Sequence, residues 1–268
     1  GLRVLLVEDN EINRQVGAGI LERAGVVVTL AGDGESALDL LAPGAFDAVL
    51  MDIQMPGMDG YETTRRIREQ PALAGLPVIA MTAHALASDR ERTQAAGMDD
   101  HVTKPIDPKA LLAALLRHVP PRPDPEPAAP MPAPGPEDGP ENLPTLPGLD
   151  WADGLERLGG DQTLYWSLLH QFLELYQNRG EEIRQTLARG DRKAALLLAH
   201  GLRGAAGNLG AHGVAEAALA LERALGSAPA PEAAEPLVER LAVTFRLLAA
   251  AMEEAGPRPA PPDPGQSA

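Results

Sequence analysis

Three features of this 268-residue chain predict two domains of different class, an α/β domain followed by an all-α one. Short, mostly apolar runs alternate with helical patterns through residues 1–118, the signature of a parallel sheet covered on both faces. A proline-rich, acidic stretch interrupts the pattern over residues 119–148. Beyond it, through residues 149–255, strand-like runs vanish and Leu and Ala recur at helical spacing.

The five strand candidates are RVLLV (residues 3–7), VVVTL (26–30), DAVLM (47–51), PVIAM (77–81) and HVT (101–103). Between and after them lie the helical patterns EINRQVGAGILERAG, GESALDLLA, YETTRRIREQ, SDRERTQAAG and PKALLAALLRHV. Five β-α units make one doubly wound, five-stranded parallel sheet. Asn10 reads as the N-cap of the first helix, Asp33 and Asp59 as turn acids, and Asp99 and Asp100 as loop charges. The proline-rich segment cannot supply a core and reads as a semi-rigid spacer, about 28 residues that would span roughly 85 Å when extended. In DQTLYWSLLHQFLELY the residues Leu164, Leu168, Leu169, Phe172 and Leu175 fall on one stripe, and Trp151, Trp166 and Phe172 read as core anchors. Further helices are expected near residues 180–189, 191–208, 212–225 and 232–254, which together suit a four-helix bundle. Residues 256–268 read as a disordered tail.

Composition narrows the function. The 38 acidic and 23 basic residues give a net charge of −15, the opposite of a nucleic-acid footprint. Cysteine is absent, which removes disulfides and thiolate metal sites and suits a reducing compartment, so the cytoplasm is expected. No apolar run reaches the roughly 20 residues of a membrane span. The chain opens on Gly, which suits a piece of a longer protein.

Ligands of an open parallel sheet bind beyond the carboxyl ends of its strands. Here those ends carry Glu8 and Asp9, Asp52, Thr82 and Lys104: three acids, a hydroxyl and an ammonium on one rim. A lone Asp at a strand end is more often a cap, but five such residues at four strand ends form a constellation. Crowded carboxylates call for a hard cation, and Mg²⁺ prefers one or two carboxylates plus water and phosphate. Such a carboxylate suits attack on a phosphoryl group to give an aspartyl phosphate.

VLLVEDN, MDIQMPGMDG, MTAHA and HVTKPI resemble the receiver domain of two-component response regulators over residues 2–118. The resemblance implies a flavodoxin-like fold, Asp52 as phosphoacceptor, and Mg²⁺ held by Glu8, Asp9, Asp52 and the backbone carbonyl of Gln54. It also implies Thr82 and Lys104 as phosphate contacts and a cis Lys104-Pro105 bond. Three residues before the lysine, where the family often carries Tyr or Phe, stands His101.

In the helical domain, LLLAHGLRGAAGNLG admits Gly201, Gly204 and Gly207 into a Leu- and Ala-rich helix, each at a cost of up to about 1 kcal/mol relative to Ala. Gly204 lies one turn beyond His200, which predicts an imidazole accessible to a large partner. Arg203 stands beside the ring as a candidate phosphate contact, and Gly210 is expected to stop the helix. The motif AHGLRGAAGNLGA, with the approach LPGLDWADGLERLGGDQTLYWSLLHQF, resembles the histidine phosphotransfer (Hpt) domain over residues from about 146 to 250. The family usually carries Lys where Arg203 stands, and the resemblance implies His200 as the phosphohistidine.

The expected function is a phosphorelay module in which Asp52 takes phosphate from a phosphohistidine and exchanges it with His200. Its partners would be an upstream histidine kinase and a downstream receiver, with neither nucleic acid nor membrane contacted by this segment. The resemblance places it in the C-terminal part of a hybrid sensor histidine kinase. Two other readings compete: an aspartyl-nucleophile Mg²⁺ phosphatase, which commonly wants a second Asp where Gln54 stands, and a non-catalytic scaffold.

Overall fold

The computed structural model describes residues 1–83, 87–119, 148–226 and 234–255, with the backbone alone described at 87–90 and 254–255. Residues 120–147 of the proline-rich spacer, the tail and His84 fall outside the described residues. The chain divides into two compact units, Gly1–Ala133 and Pro134–Ala268.

The first unit alternates β1 (Arg3–Val7), α1 (Glu11–Arg23), β2 (Val27–Ala31), α2 (Gly34–Leu40), β3 (Ala48–Asp52), α3 (Gly60–Glu69), β4 (Val78–Thr82), α4 (Ala87–Ala95), β5 (Asp100–Thr103) and α5 (Pro108–His118). Its five parallel strands stand in the order β2-β1-β3-β4-β5. β3 and β4 are buried along their whole length, as the apolar runs require of strands covered on both faces. Side chains alternate across the sheet. Leu5, Val7, Val49, Met51, Val78 and Ala80 share one core with Ala37, Tyr61 and Ile67 of α2 and α3. Leu6, on the other face, lies against Gly17 of α1.

Short acceptor side chains set the helix starts. Asn10, Asp59 and Asp107 each accept a backbone N–H at the start of α1, α3 and α5, and Asp33 closes a capping box with Ser36 on α2. Asp33 and Asp59 are therefore caps. Asp99 and Asp100 are more than loop charges: Asp99 accepts from Arg68 and from the Val78 N–H, each at 2.8 Å. Asp100 opens β5 and accepts from Arg117 Nη2 at 2.6 Å.

The second unit holds α6 (Trp151–Arg157), α7 (Gln162–Tyr176), α8 (Arg179–Ala188), α9 (Arg192–Asn208), α10 (His212–Gly226) and α11 (Glu235–Ala255). α8, α9, α10 and α11 pack in a closed cycle, each against the next, while α6 and α7 lie on α9. The cycle is a four-helix bundle with two further helices laid on it. Phe172 of α7 stacks on Phe245 of α11 with centroids 5.5 Å apart.

The buried stripe of α7 is Tyr165, Leu168, Leu169, Phe172 and Tyr176. Leu175, expected in that stripe, is 45% exposed, and Leu164 is half-buried. The stripe is rotated because the two tyrosines are amphipathic. Tyr165 buries its ring and donates its hydroxyl to the Leu209 carbonyl at 2.9 Å, and Tyr176 lies under the Arg179 guanidinium, 4.7 Å from the ring centre. Trp151 and Trp166 are half-buried rather than core; on α7 the neighbouring Tyr165 takes the inward position beside Trp166.

Gly210 ends α9 at φ +71°, and a Cβ there would meet the Asp150 carbonyl oxygen at 2.0 Å. That closeness lets the Asp150 N–H donate to the Gly210 carbonyl at 2.8 Å and ties the start of α6 to the end of α9. Gly210→Ala is expected to destabilise the second unit by at least about 2 kcal/mol, read from denaturant unfolding followed at its tryptophans, because it combines left-handed strain with a backbone clash. Among the described residues no helix is long and apolar enough to cross a membrane.

Candidate functional site

The carboxyl end of β1 delivers Glu8 and Asp9. Glu8 prolongs the strand, its N–H donating to the Ala31 carbonyl at 3.1 Å, and its side chain is 1% exposed, whereas Asp9 is exposed. The neighbouring strand β3 ends on Asp52, whose side chain is 3% exposed. Gly60 opens α3 directly behind it, so close that a Cβ there would meet the Asp52 carbonyl oxygen at 2.2 Å. β4 contributes the buried Thr82, paired in register with Thr103 of β5. The next residue, Lys104, donates its N–H to the Thr82 carbonyl at 2.7 Å and precedes the expected cis Pro105.

The Lys104 ammonium contacts Glu8 Oε2 at 2.6 Å and Asp52 Oδ2 at 2.7 Å, which joins residues from three strand ends into one buried cluster. The remaining Asp52 oxygen, Oδ1, accepts the Gln54 N–H at 3.1 Å. One ammonium against two buried carboxylates leaves surplus negative charge. Burial, reinforced by the charge of Asp52, pushes the Glu8 carboxyl up to about 8. Burial acts against the Lys104 ammonium as well, but Asp52 and Glu8 outweigh it and hold that group above the ordinary lysine range.

The donor set suits a hard divalent cation. Glu8, Asp9 and Asp52 each offer a carboxylate oxygen, all within 4.8 Å of one another, and the excess charge is of the sign a cation would neutralise. Gln54 is exposed beside Asp52. His101 lies half-buried in β5 with Nδ1 3.9 Å from Asp100 Oδ1, so its ring is held near that acid.

A second cluster lies in the helical unit. His200 sits on α9, and its Nδ1 is 2.9 Å from Glu222 Oε1 on α10. Arg203, one turn along α9, reaches the other oxygen of Glu222 at 3.1 Å. Burial lowers the Arg203 guanidinium from its ordinary value, against the pull of Glu222. His200 is 6% exposed, less open than the glycine spacing predicts, because its Nδ1 edge faces α10. Glu222 was not identified from the sequence. Its signal is an acid beside the core residues Leu221 and Leu225 in an otherwise Ala- and Leu-rich helix. The remaining described histidines lack this arrangement: His118 and His212 contact Asp100 and Asp153 near the surface, and His170 is exposed.

The raised Glu8 carboxyl makes stability depend on pH. A carboxyl that binds its proton more tightly when folded contributes stability below its unfolded value of 4.5, and loses it as pH rises through about 8. In metal-free buffer the urea midpoint of the first unit is expected to fall between about pH 5 and about pH 8. A Glu8→Gln variant should flatten that slope.

Two family models match the chain: "Response regulator receiver domain" over residues 4–116 and "Hpt domain" over residues 167–256. Sensor protein GacS of Pseudomonas syringae pv. syringae is 34% identical over 209 residues, which cover 76% of this chain and 22% of that protein. Signal transduction histidine-protein kinase BarA of Escherichia coli (strain K12) is 30% identical over 237 residues, 88% of this chain and 25% of that protein. The chain thus spans a quarter or less of these relatives. Among solved structures, the receiver domain of sensor histidine kinase PA1611 from Pseudomonas aeruginosa PAO1, with a magnesium ion coordinated in its active site cleft, is 42% identical. That match covers 44% of this chain and 97% of the other, with a TM-score of 0.41. With a parallel sheet ending in an acidic cluster, and a helical bundle carrying His200, the chain belongs to both families in succession: it is a response regulator receiver domain followed by an Hpt domain, a two-component phosphorelay module.

Proposed function

We propose that Asp52 and His200 are the two phosphoryl carriers of this module. The observation that carries the reading is the Asp52 carboxylate at the mouth of the sheet, paired with Lys104 at 2.7 Å and flanked by Glu8 and Asp9. In the forward step an Asp52 oxygen attacks the phosphorus of a phosphohistidine. The P–N bond breaks as the P–O bond forms, and the electron pair returns to the imidazole. In the reverse step His200 attacks the aspartyl phosphate, and the P–O bond breaks with its electrons left on the carboxylate.

Lys104 stands where charge would build on the transferring group, and Thr82 at the adjoining strand end would donate a hydrogen bond to a phosphoryl oxygen. Glu8, Asp9, Asp52 and the Gln54 carbonyl would hold Mg²⁺, which supplies neutralising charge to the phosphoryl oxygens. In the second unit an ionised Glu222 can only accept, so the imidazole carries its proton on Nδ1 and presents the lone pair of Nε2. Glu222 thereby sets the tautomer, and Arg203 is placed to meet phosphoryl oxygens. The phosphodonor would be a histidine kinase domain and the acceptor a second receiver. A cytoplasmic setting is supported by the cysteine-free sequence.

A phosphorylated histidine kinase fragment with Mg²⁺ should label both sites, told apart by the acid lability of phosphohistidine and the base lability of aspartyl phosphate. His200→Gln is expected to abolish the phosphohistidine and leave Asp52 labelled. Acid-labile phosphate surviving in that variant would remove His200 from the reading. Glu222→Ala should slow labelling of His200 by about tenfold or more while leaving that of Asp52 unchanged.

A further inference from the structure

The first turns of α1 grip the acidic pair at two places. Asn13, 2% exposed, donates its side-chain amide to Glu8 Oε1 at 2.9 Å. The other Glu8 oxygen faces Lys104, so the carboxylate is held from both sides. The next residue, Arg14, directs Nη1 at the backbone carbonyls of Glu8, at 2.7 Å, and Asp9, at 3.4 Å, while Nη2 pairs with Glu11. Asn10 caps this helix by accepting the Asn13 N–H at 3.2 Å, which fixes where the Asn13 side chain begins.

We infer that Asn13 and Arg14 are positioning residues for the cation site: Asn13 sets the rotation of the Glu8 carboxylate, and Arg14 sets the backbone that carries Glu8 and Asp9. This rests on the proposed Mg²⁺ site. The hydrogen bonds run from Asn13 through Glu8 and Lys104 to Asp52, so the α1 amide acts on Asp52 through two intervening residues. A buried amide is a costly choice unless its hydrogen bond is made, and here that bond is spent on a site residue. Neither Asn13 nor Arg14 touches Asp52 or the phosphoryl position; each works through the acids. Groups that orient metal ligands in this way typically govern metal affinity by tenfold or more, whereas a merely structural contact would not.

The test uses the full chain and Mg²⁺ alone. Isothermal titration of Mg²⁺ is compared for the parent, Asn13→Ala, Arg14→Met and Gln15→Ala, with thermal unfolding in EDTA recorded alongside. Gln15 is the control, because its amide donates to Glu11 on the same helix and not to the acidic pair. The expected result is a Mg²⁺ Kd about tenfold higher for Asn13→Ala and Arg14→Met, and within about twofold of the parent for Gln15→Ala. The milder variants Asn13→Ser and Arg14→Gln replace any protein that fails to fold. Unchanged Kd in the folded variants, with or without a lowered Tm, overturns the inference and leaves the Mg²⁺ site standing. Absence of Mg²⁺ binding by the parent overturns both.

Discussion

A single ammonium held between two buried carboxylates is the constraint on which the first unit is built. Glu8 and Asp52 come together because β1 and β3 are neighbours in the sheet, and both strands end at the same edge. Lys104 comes from β5, with β4 between it and β3. Strands lie about 4.8 Å apart, so only a long side chain reaches across β4 to Asp52. Burial first, and the charge of Asp52 second, raise the Glu8 carboxyl, while Lys104 pulls the other way.

The helical unit solves a related problem differently. There an imidazole, a carboxylate and a guanidinium share one interface between α9 and α10, and Glu222 serves both neighbours at once. This cluster, unlike the first, carries no excess of negative charge. The two sites therefore differ in chemistry: one gathers three carboxylates around an ammonium, while the other sets an imidazole against a carboxylate shared with a guanidinium.

Where local rules governed, the sequence was legible. β-branched runs became strands with shifts of about one residue, and Asn10 capped α1 as expected, whereas Asp33 and Asp59, read as turn acids, are the N-caps of α2 and α3. Three readings shifted for a shared reason, that burial is settled by neighbours distant in sequence. Leu175 faces outward because Tyr165 and Tyr176 take the inner stripe of α7. Trp151 stays half-buried on α6, a helix too short to stand out by periodicity. Asp99 and Asp100 became fixed acceptors because Arg68 and Arg117 reach them from α3 and α5.

By itself the sequence determined the two classes of fold and the acids, hydroxyl and ammonium that stand at the strand ends. Periodicity, capping and turn chemistry are local, and a parallel sheet sends its strand ends to one edge whatever the details. Only the tertiary structure decided what those residues touch. Asn13 reaches Glu8 within one strand-helix junction, yet Lys104 meets Glu8 across 96 positions and Glu222 meets His200 across 22. Such pairings depend on strand order and helix rotation, and both are fixed by how the buried surfaces fit together.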